Sequence, residues 1–392
     1  MLETWRWFGP NDSISLEKIV QAGASGIVSS LHEIDTGEVW PLAAIRDRQQ
    51  IIEAAGLKWS VIESIPVHND IKTRSGNYKR YIANYQQSIL NAAEAGVKVI
   101  CYNFMPVVDW TRTNLMYKLP NASHALRFEM GDFAAYDVFL LQRENASADY
   151  SPAILDKAST RFAQMSEAEK ILLERNIIAG LPGGDGSYTR ESILTAIHQF
   201  TSLGTEGFRE NLFAFLRDVI PVAEDAGVKM CIHPDDPPFS LFGLPRVVST
   251  ASDARALLSA VDTPANGLTL CAGSYGARGD NDLTAMAKEF GPRIYFVHLR
   301  NITREADGSF YEAEHLDGDN DMVSLVQALL DEEDRRLCTG DPFPHIPMRP
   351  DHGHLMGDEV NQPDVKPGYS YAGRLKGLSE LRGVIHTLKA LR

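Results

Sequence analysis

Four residues that can bind a metal ion each end a short apolar run: His233, Cys271, His298 and Asp351. Two imidazoles, one thiolate and one carboxylate suit a divalent transition metal of intermediate softness. The four are far apart in sequence, unlike the paired cysteines of structural zinc sites. The fold itself must therefore bring them together, and such sites tend to leave positions open for a substrate.

Each of these residues also has an ordinary structural interpretation. A single histidine at a strand end usually makes only a hydrogen bond, and a buried cysteine such as Cys271 usually fills space. Four ligand-type residues at four strand ends nevertheless favour a metal site. Cys231 lies two residues before His233, on the same face but one layer deeper, and is expected to fill the barrel.

Two arginines stand beside the predicted ligands. Arg300 follows His298 by two residues and Arg349 precedes Asp351 by two, so each faces the same side as its neighbour. A guanidinium binds a carboxylate through two parallel hydrogen bonds, which suits an acidic substrate. An external salt bridge is an equally good interpretation for either arginine alone.

Groups that can transfer protons occur near the C-terminus. His352 and His354 flank a glycine and can carry protons near neutral pH, although we expect one of them to be structural. Tyr369 and Tyr371 lie in a loop before the last predicted helix. A phenol there can carry a proton if a metal lowers its pKa, but packing over a barrel rim is the commoner role.

A weak repeat indicates the elements that position these residues. Ala-Gly pairs at 22–23, 55–56, 95–96 and 226–227 are each followed by a short run rich in Val, Ile and Trp. Glycine readily adopts the left-handed conformation that ends a helix, and short apolar runs are typical of strands buried on both faces. The repeat therefore predicts strands that alternate with helices.

The number of units favours a (β/α)8 TIM barrel. Further strands are predicted at 4–8, 267–272, 294–299 and 346–350, and helices at 46–55, 78–95, 210–226 and 374–391. Eight units favour a closed barrel over an open doubly wound sheet, which would need an early Gly-rich phosphate loop. The glycine-rich segment 181–186 follows a helical stretch and predicts a turn instead.

Two segments exceed what the repeat requires. Roughly 105–190 is predicted to be an insertion at the catalytic end, helical at 150–176 and followed by a helix at 189–200. Segment 303–320 is acidic and predicts a surface hairpin. Because no linker separates two folding units, residues 1–392 are predicted to form one domain with insertions.

Composition narrows the possible functions. The 392 residues are 44% hydrophobic and 23% charged, as in ordinary globular proteins. The net charge of -14 argues against a nucleic-acid partner. We find neither a run of about 18 apolar residues nor a signal-peptide pattern, so we expect no membrane partner and a cytoplasmic location. Four scattered cysteines do not indicate a disulfide scaffold.

Longer motifs resemble the mannonate dehydratase family over nearly the whole chain. They are Thr-Trp-Arg-Trp-Phe-Gly-Pro10, Ile-His-Pro-Asp-Asp-Pro-Pro238, Leu-Cys-Ala-Gly-Ser-Tyr275, Val-His-Leu-Arg-Asn301, Met-Arg-Pro-Asp-His-Gly-His354 and Pro-Gly-Tyr-Ser370. The resemblance implies a xylose-isomerase-like barrel that converts D-mannonate to 2-keto-3-deoxy-D-gluconate. It also implies a divalent metal, typically Mn²⁺ with Fe²⁺ or Co²⁺ possible, and no nucleotide cofactor.

The resemblance also assigns roles to residues. The metal ligands fall on His233, Cys271, His298 and Asp351, with Asp351 also counted as catalytic, and the remaining catalytic residues fall on Tyr369 and His352. The predicted substrate-binding residues are Arg300, Arg349, Asn301 and Asp235, which lie in the same motifs. We further expect a homo-oligomer, with a dimer as the simplest form.

Three other functions are compatible with parts of the pattern. A sugar-acid isomerase or epimerase would share the metal and differ in where the proton goes. A sugar-acid binding protein without activity would not need a ligand set with open positions. A metal-dependent nuclease is disfavoured by the negative charge.

Overall fold

A computed structural model describes residues 1–178 and 188–392. Eight parallel strands form the barrel: β1 (Leu2–Arg6), β2 (Gly26–Ser29), β3 (Lys58–Glu63), β4 (Val99–Tyr102), β7 (Lys229–Ile232), β8 (Asn266–Cys271), β9 (Ile294–His298) and β12 (Pro347–Arg349). They close in the order β1-β12-β9-β8-β7-β4-β3-β2, and this confirms the predicted (β/α)8 fold.

The strands form where the sequence is apolar on both faces. Every residue of β4, β8 and β9 is buried, as expected when helices cover the outside and side chains fill the inside. The glycines of the four Ala-Gly pairs, at 23, 56, 96 and 227, all have positive φ angles. They therefore close helices in the left-handed conformation, as the repeat predicts.

Fourteen α-helices occur in the described part of the chain. They are α1 (Leu16–Gln21), α2 (Leu42–Ala54), α3 (Asn69–Thr73), α4 (Tyr78–Glu94), α5 (Met130–Ala135), α6 (Pro152–Gln164), α7 (Glu167–Ile178), α8 (Arg190–Thr201), α9 (Gly204–Asp225), α10 (Ala251–Ala260), α11 (Ala272–Gly276), α12 (Leu283–Phe290), α13 (Met322–Thr339) and α14 (Tyr371–Ala390). The helix predicted at 150–176 is two helices, because Met165 adopts an extended conformation between them. The turn predicted at 181–186 lies outside the described residues.

The two insertions meet in a second sheet that the sequence did not reveal. Strands β5 (Asn114–Lys118) and β6 (His124–Phe128) come from the first insertion, and β10 (Ile302–Arg304) and β11 (Phe310–Glu312) follow the ninth strand. The four are antiparallel in the order β10-β11-β6-β5, and Phe310 pairs with Phe128.

This inserted sheet corrects two expectations. The first insertion contains strands as well as helices. The hairpin predicted in 303–320 is present and its turn is exposed, but it is only partly a surface element, because Phe310 and Glu312 are 1% and 2% exposed. In residues 1–178 and 188–392, no helix has the length and apolar character needed to cross a membrane.

Candidate active site

A cavity opens at the carboxyl end of the barrel strands, the usual position of active sites in this fold. The space not filled by atoms, counted together with the open solvent at its mouth, is about 940 Å³. Six of the residues singled out from the sequence line it: His233, Arg300, Arg349, Asp351, His352 and Tyr369.

Three of the predicted metal ligands converge beside this cavity. The ligand atoms of His233, Cys271 and His298 all lie within 4.8 Å of one another. His298 ends β9, Cys271 ends the adjacent β8 in direct register with it, and His233 follows β7, the next strand. Neighbouring parallel strands thus bring together residues that are up to 65 positions apart in sequence.

Asp351, the fourth predicted ligand, lies slightly outside this group. Its Oδ2 is 3.9 Å from Cys271 Sγ and 3.7 Å from His298 Nδ1. It follows β12 with a φ of +65°, a conformation that costs free energy for a residue with a side chain. Arg349 Nη1, 2.6 Å from Oδ1, holds the carboxylate at the cavity in this conformation.

The charges at the cluster suit a cation. Burial raises the pKa of the Cys271 thiol, but the Arg300 guanidinium and His233 outweigh burial and bring that pKa well below its ordinary value. Burial lowers the pKa of His233, and the Cys271 thiolate outweighs it and raises the pKa to about 10. The thiol therefore favours the thiolate form, which is the form that binds metals.

His298 provides a separate test of whether a metal fits. Its side chain is 1% exposed; Nε2 lies 3.1 Å from Glu63 Oε1, whereas Nδ1 has no hydrogen-bond partner among the described residues. Buried polar atoms are normally satisfied, so Nδ1 lacks a partner that a metal ion would supply. The donor set of thiolate and imidazoles fits a transition metal.

Glu63 belongs to the site and was missed in the sequence. It ends β3 and lines the cavity, with Oε1 3.1 Å from His298 Nε2 and 3.0 Å from Arg349 Nη2. Burial raises its pKa, but Arg349 and His298 outweigh burial and lower it, so Glu63 is a carboxylate. A signal existed, because Glu63 ends an apolar run just as His298 does.

Arg300 is completely engaged by protein groups at its terminal nitrogens. Nη1 donates to Glu312 at 2.8 Å, and Nη2 donates to Asp236 at 2.7 Å and to Ser274 at 2.9 Å. Gly273 permits this packing, since a Cβ at that position would overlap the guanidinium. Arg300 therefore stabilises the site's carboxylates, and its predicted contact with substrate would have to displace one of them.

Arg349 is more open to a ligand. Nη2 donates to Glu63, but Nε has no hydrogen-bond partner among the described residues. Arg300 Nε likewise has no hydrogen-bond partner among the described residues, but Arg349 makes fewer contacts with protein groups through its terminal nitrogens and is therefore the arginine with more capacity for a ligand.

Two predicted substrate-binding residues are structural. Asp235 Oδ2 accepts hydrogen bonds from Val248 N and Ser249 Oγ, both at 2.8 Å, and does not line the cavity. The next residue, Asp236, lines it instead. Sequence alone could not tell which of the two adjacent aspartates turns inward.

Asn301 is the second correction. Its amide donates to His315 O and Asn320 O, and its oxygen accepts from the backbone of Ile302 and Asn320. These bonds fix the connection between β9 and the inserted sheet, away from the cavity. Asn301 therefore shapes the loop and has no capacity left for a substrate.

The two histidines that flank Gly353 differ in position. His352 lines the cavity, and its ring packs edge-on against Tyr369, with 5.1 Å between the centroids. His354 Nε2 lies 2.9 Å from Glu312 O and Nδ1 lies 3.4 Å from Ser123 Oγ, outside the cavity. His354 is thus the structural member of the pair.

Tyr369 and Tyr371 also differ in position, since only one of them lines the cavity. Tyr369 is buried and lines the cavity, and burial raises the pKa of its phenol to about 12. Tyr371 begins α14 and packs on Trp5, with 5.8 Å between ring centroids, and is not part of the cavity wall. Geometry therefore favours Tyr369 as the residue that meets a substrate.

Comparison with known proteins decides the family. The family model described as D-mannonate dehydratase (UxuA) matches residues 1–392. The chain belongs to the D-mannonate dehydratase family. Members of this family are hydro-lyases, and the chain is accordingly an enzyme of that class.

Individual relatives agree over their whole length. A mannonate dehydratase of Saccharophagus degradans is 74% identical over 392 residues, covering 100% of this chain and 99% of the relative. Mannonate dehydratase 2 of Agrobacterium fabrum is 58% identical over 389 residues, covering 99% and 98%. The crystal structure of the mannonate dehydratase from Streptococcus suis serotype 2 shows a TM-score of 0.78 and 33% identity, covering 100% of this chain and 94% of that one.

Proposed function

We propose that the enzyme removes water from D-mannonate to give 2-keto-3-deoxy-D-gluconate, using a divalent metal, Mn²⁺ in the first place and Fe²⁺ or Co²⁺ as alternatives. The observation that carries this proposal is the cluster of His233, Cys271 and His298, with Asp351 next to it, at the edge of the cavity. Membership of the D-mannonate dehydratase family over the full chain supports the substrate.

The chemical difficulty of this reaction lies at C2. The C2 proton is barely acidic, because removing it places a second negative charge next to the carboxylate. When bound, a divalent ion supplies positive charge that stabilises the negative charge developing on the substrate's oxygen atoms. His233, Cys271, His298 and Asp351 would hold this ion at the strand ends.

Two side chains are placed to move protons. Tyr369 and His352 are in ring contact and both line the cavity. One of them takes the C2 proton while the other protonates the departing C3 hydroxyl. The enol that results tautomerises to the 2-keto acid, so the reaction needs no nucleotide cofactor.

Arg349 is the group we assign to the substrate carboxylate. It lines the cavity and has a free Nε donor. Its Nη groups already contact Glu63 and Asp351, so it orients the substrate relative to the predicted metal ligand as well.

The decisive experiment combines metal analysis with a turnover assay. We expect purified protein to contain about one transition-metal ion per chain and to produce a 2-keto-3-deoxy acid from D-mannonate. Chelation should abolish turnover and Mn²⁺ should restore it. Full activity after complete metal removal would overturn the metal assignment, and conversion to an isomeric sugar acid would indicate an isomerase or epimerase.

Oligomeric state and location remain predictions from the sequence. Light scattering after size-exclusion chromatography would test the expected dimer. Fractionation of the producing cells would test the expected cytoplasmic location.

A further inference from the structure

A buried network of four charged residues joins the barrel to the inserted segments. Asp236 and Arg300 stand at the barrel end, while Arg112 and Glu312 come from the two insertions. Arg112 donates to Asp236 at 2.8 Å and to Glu312 at 2.9 Å, and Arg300 donates to Glu312 at 2.8 Å and to Asp236 at 2.7 Å. None of the four is more than 2% exposed.

Glu312 extends this network to a predicted catalytic residue. Its Oε1, which accepts from both arginines, lies 3.1 Å from His352 Nδ1. Arg300 Nη1 also lies 3.1 Å from Nδ1, and it donates to Glu312 Oε1 at 2.8 Å. The His352 ring is also packed edge-on by Tyr369 and by Trp110, whose centroid is 6.0 Å away. The orientation of the imidazole is thus determined from three sides.

We propose that Glu312 is a positioning residue that holds His352 in the tautomer with the proton on Nδ1, leaving Nε2 for the substrate. A carboxylate that accepts from one ring nitrogen fixes both the tautomer and the orientation of an imidazole. This role rests on the proposed function, since it acts through His352. It assigns to the inserted sheet a direct part in arranging the proton-transfer groups.

Stability alone does not account for a carboxylate at this position. Replacing buried ion pairs by apolar residues is often neutral for folding. Glu312 also uses one oxygen for three contacts, while its Oε2 has no hydrogen-bond partner in the described residues. All of the contacts of the Glu312 side chain are therefore made through Oε1, the oxygen that faces His352.

Kinetics of graded variants test the proposal. We expect Glu312→Gln, which keeps an acceptor oxygen but loses the charge, to lower kcat about 10-fold, and Glu312→Ala about 100-fold. KM for D-mannonate and metal content should change less than about 3-fold. The matched control is Glu314→Gln, two residues away and in contact with His354, which should leave kcat unchanged.

A spectroscopic measurement reads the tautomer without relying on turnover. The full chain is loaded with diamagnetic Zn²⁺ and its histidines are labelled with ¹⁵N. The ¹⁵N chemical shifts should show that His352 carries its proton on Nδ1. The His352 signals are identified as those missing from the spectrum of His352→Gln. Glu312→Ala should lose this preference and Glu312→Gln should keep part of it, which would support the role even if D-mannonate proved to be the wrong substrate.

Three results would overturn the role of Glu312. The first is a wild type with the proton on His352 Nε2, because Arg300 would then donate to Nδ1. The second is an unchanged His352 tautomer in a folded Glu312→Ala variant. The third is a raised KM with unchanged kcat in Glu312→Gln, which would mean that Glu312 affects binding only. If the alanine variant does not fold, as checked by circular dichroism, the glutamine variant alone decides.

Discussion

The barrel and the inserted sheet contribute to the same cavity in different ways. The barrel strands supply the predicted metal ligands His233, Cys271 and His298, whose ligand atoms the adjacency of the strands brings within 4.8 Å of one another. The insertions supply Arg112 and Glu312, which contact each other and also contact charged groups at the end of the barrel. The barrel thus determines where ligands stand, and the inserted sheet determines how the surrounding groups are oriented.

The largest loss of activity should follow from replacing a predicted metal ligand on the barrel. Cys271→Ala removes a thiolate from the centre of the cluster, so we expect both bound metal and turnover to fall to background. Elemental analysis and the D-mannonate assay measure the two losses.

Cys231→Ala is the matched control for this experiment. Cys231 is equally buried but one layer deeper, and it should retain metal and activity. If Cys271→Ala kept its metal, or Cys231→Ala lost it, the distinction between ligand and filler cysteine would be wrong.

The next effect concerns Tyr369, a residue of the C-terminal loop that lines the cavity. Tyr369→Phe should retain metal and lower kcat about 10²- to 10⁴-fold, because the variant cannot transfer a proton. Tyr371→Phe, outside the cavity, should have nearly normal kcat. Comparable losses in the two variants would remove the catalytic assignment from Tyr369.

A smaller effect, on stability, should follow from changing the inserted segment. Arg112→Met leaves Asp236 and Glu312 with one buried cation instead of two. We expect the free energy of unfolding to fall by about 3 kcal/mol, the lower end for breaking a buried ion pair, because Arg300 remains. Urea denaturation measures this change.

The control for Arg112 is an exposed ion pair. Arg80 and Glu38 are 60% and 47% exposed, so Arg80→Met should cost less than about 1 kcal/mol. Equal losses from Arg80→Met and Arg112→Met would show that the buried network does not hold the insertions to the barrel.

The smallest effect is a pH-dependent contribution of Glu314, in the second insertion, to the free energy of unfolding. Contact with His354 outweighs burial and, together with Lys376, lowers the pKa of Glu314 to about 2. A depressed carboxyl pKa stabilises the fold above the unfolded value, near 4.5, and this stabilisation is lost as the pH falls toward 2.

The comparison of wild type with Glu314→Gln measures this contribution. The wild type should be more stable at pH 7 by about 1 kcal/mol or less, since Glu314 is partly exposed. The difference should disappear between about pH 4.5 and pH 2. A difference that stays constant down to pH 2 would contradict the charged role of Glu314.

The sequence predicts the barrel and its ligands for the same physical reason. Strands buried on both faces are apolar runs, and a polar residue that ends such a run stands at the barrel rim. This reasoning placed His233, Cys271 and His298 correctly at one site. It applies equally to Glu63, which ends the apolar run of β3 but is not among the predicted ligands.

The inserted sheet could not be predicted in this way. Strand β5 is partly exposed, and β6, although mostly buried, is interrupted by the polar residues His124 and Arg127. Neither has a long apolar run, so both resemble loops. Glu312 has no neighbour in sequence that signals a role, and its partners Arg112 and Asp236 are distant along the chain. The choice between Asp235 and Asp236 likewise depends on the local backbone, which composition does not specify.

The pairing of Phe310 with Phe128 limits which changes of sequence and loop length this enzyme can tolerate. One β-ladder is assembled from two stretches of chain whose paired residues, Phe310 and Phe128, are 182 positions apart. A shift of register in either stretch would move Glu312 relative to Arg112. Loop exchange between relatives should therefore succeed only when both stretches are transplanted together, and natural variation in their lengths should be correlated.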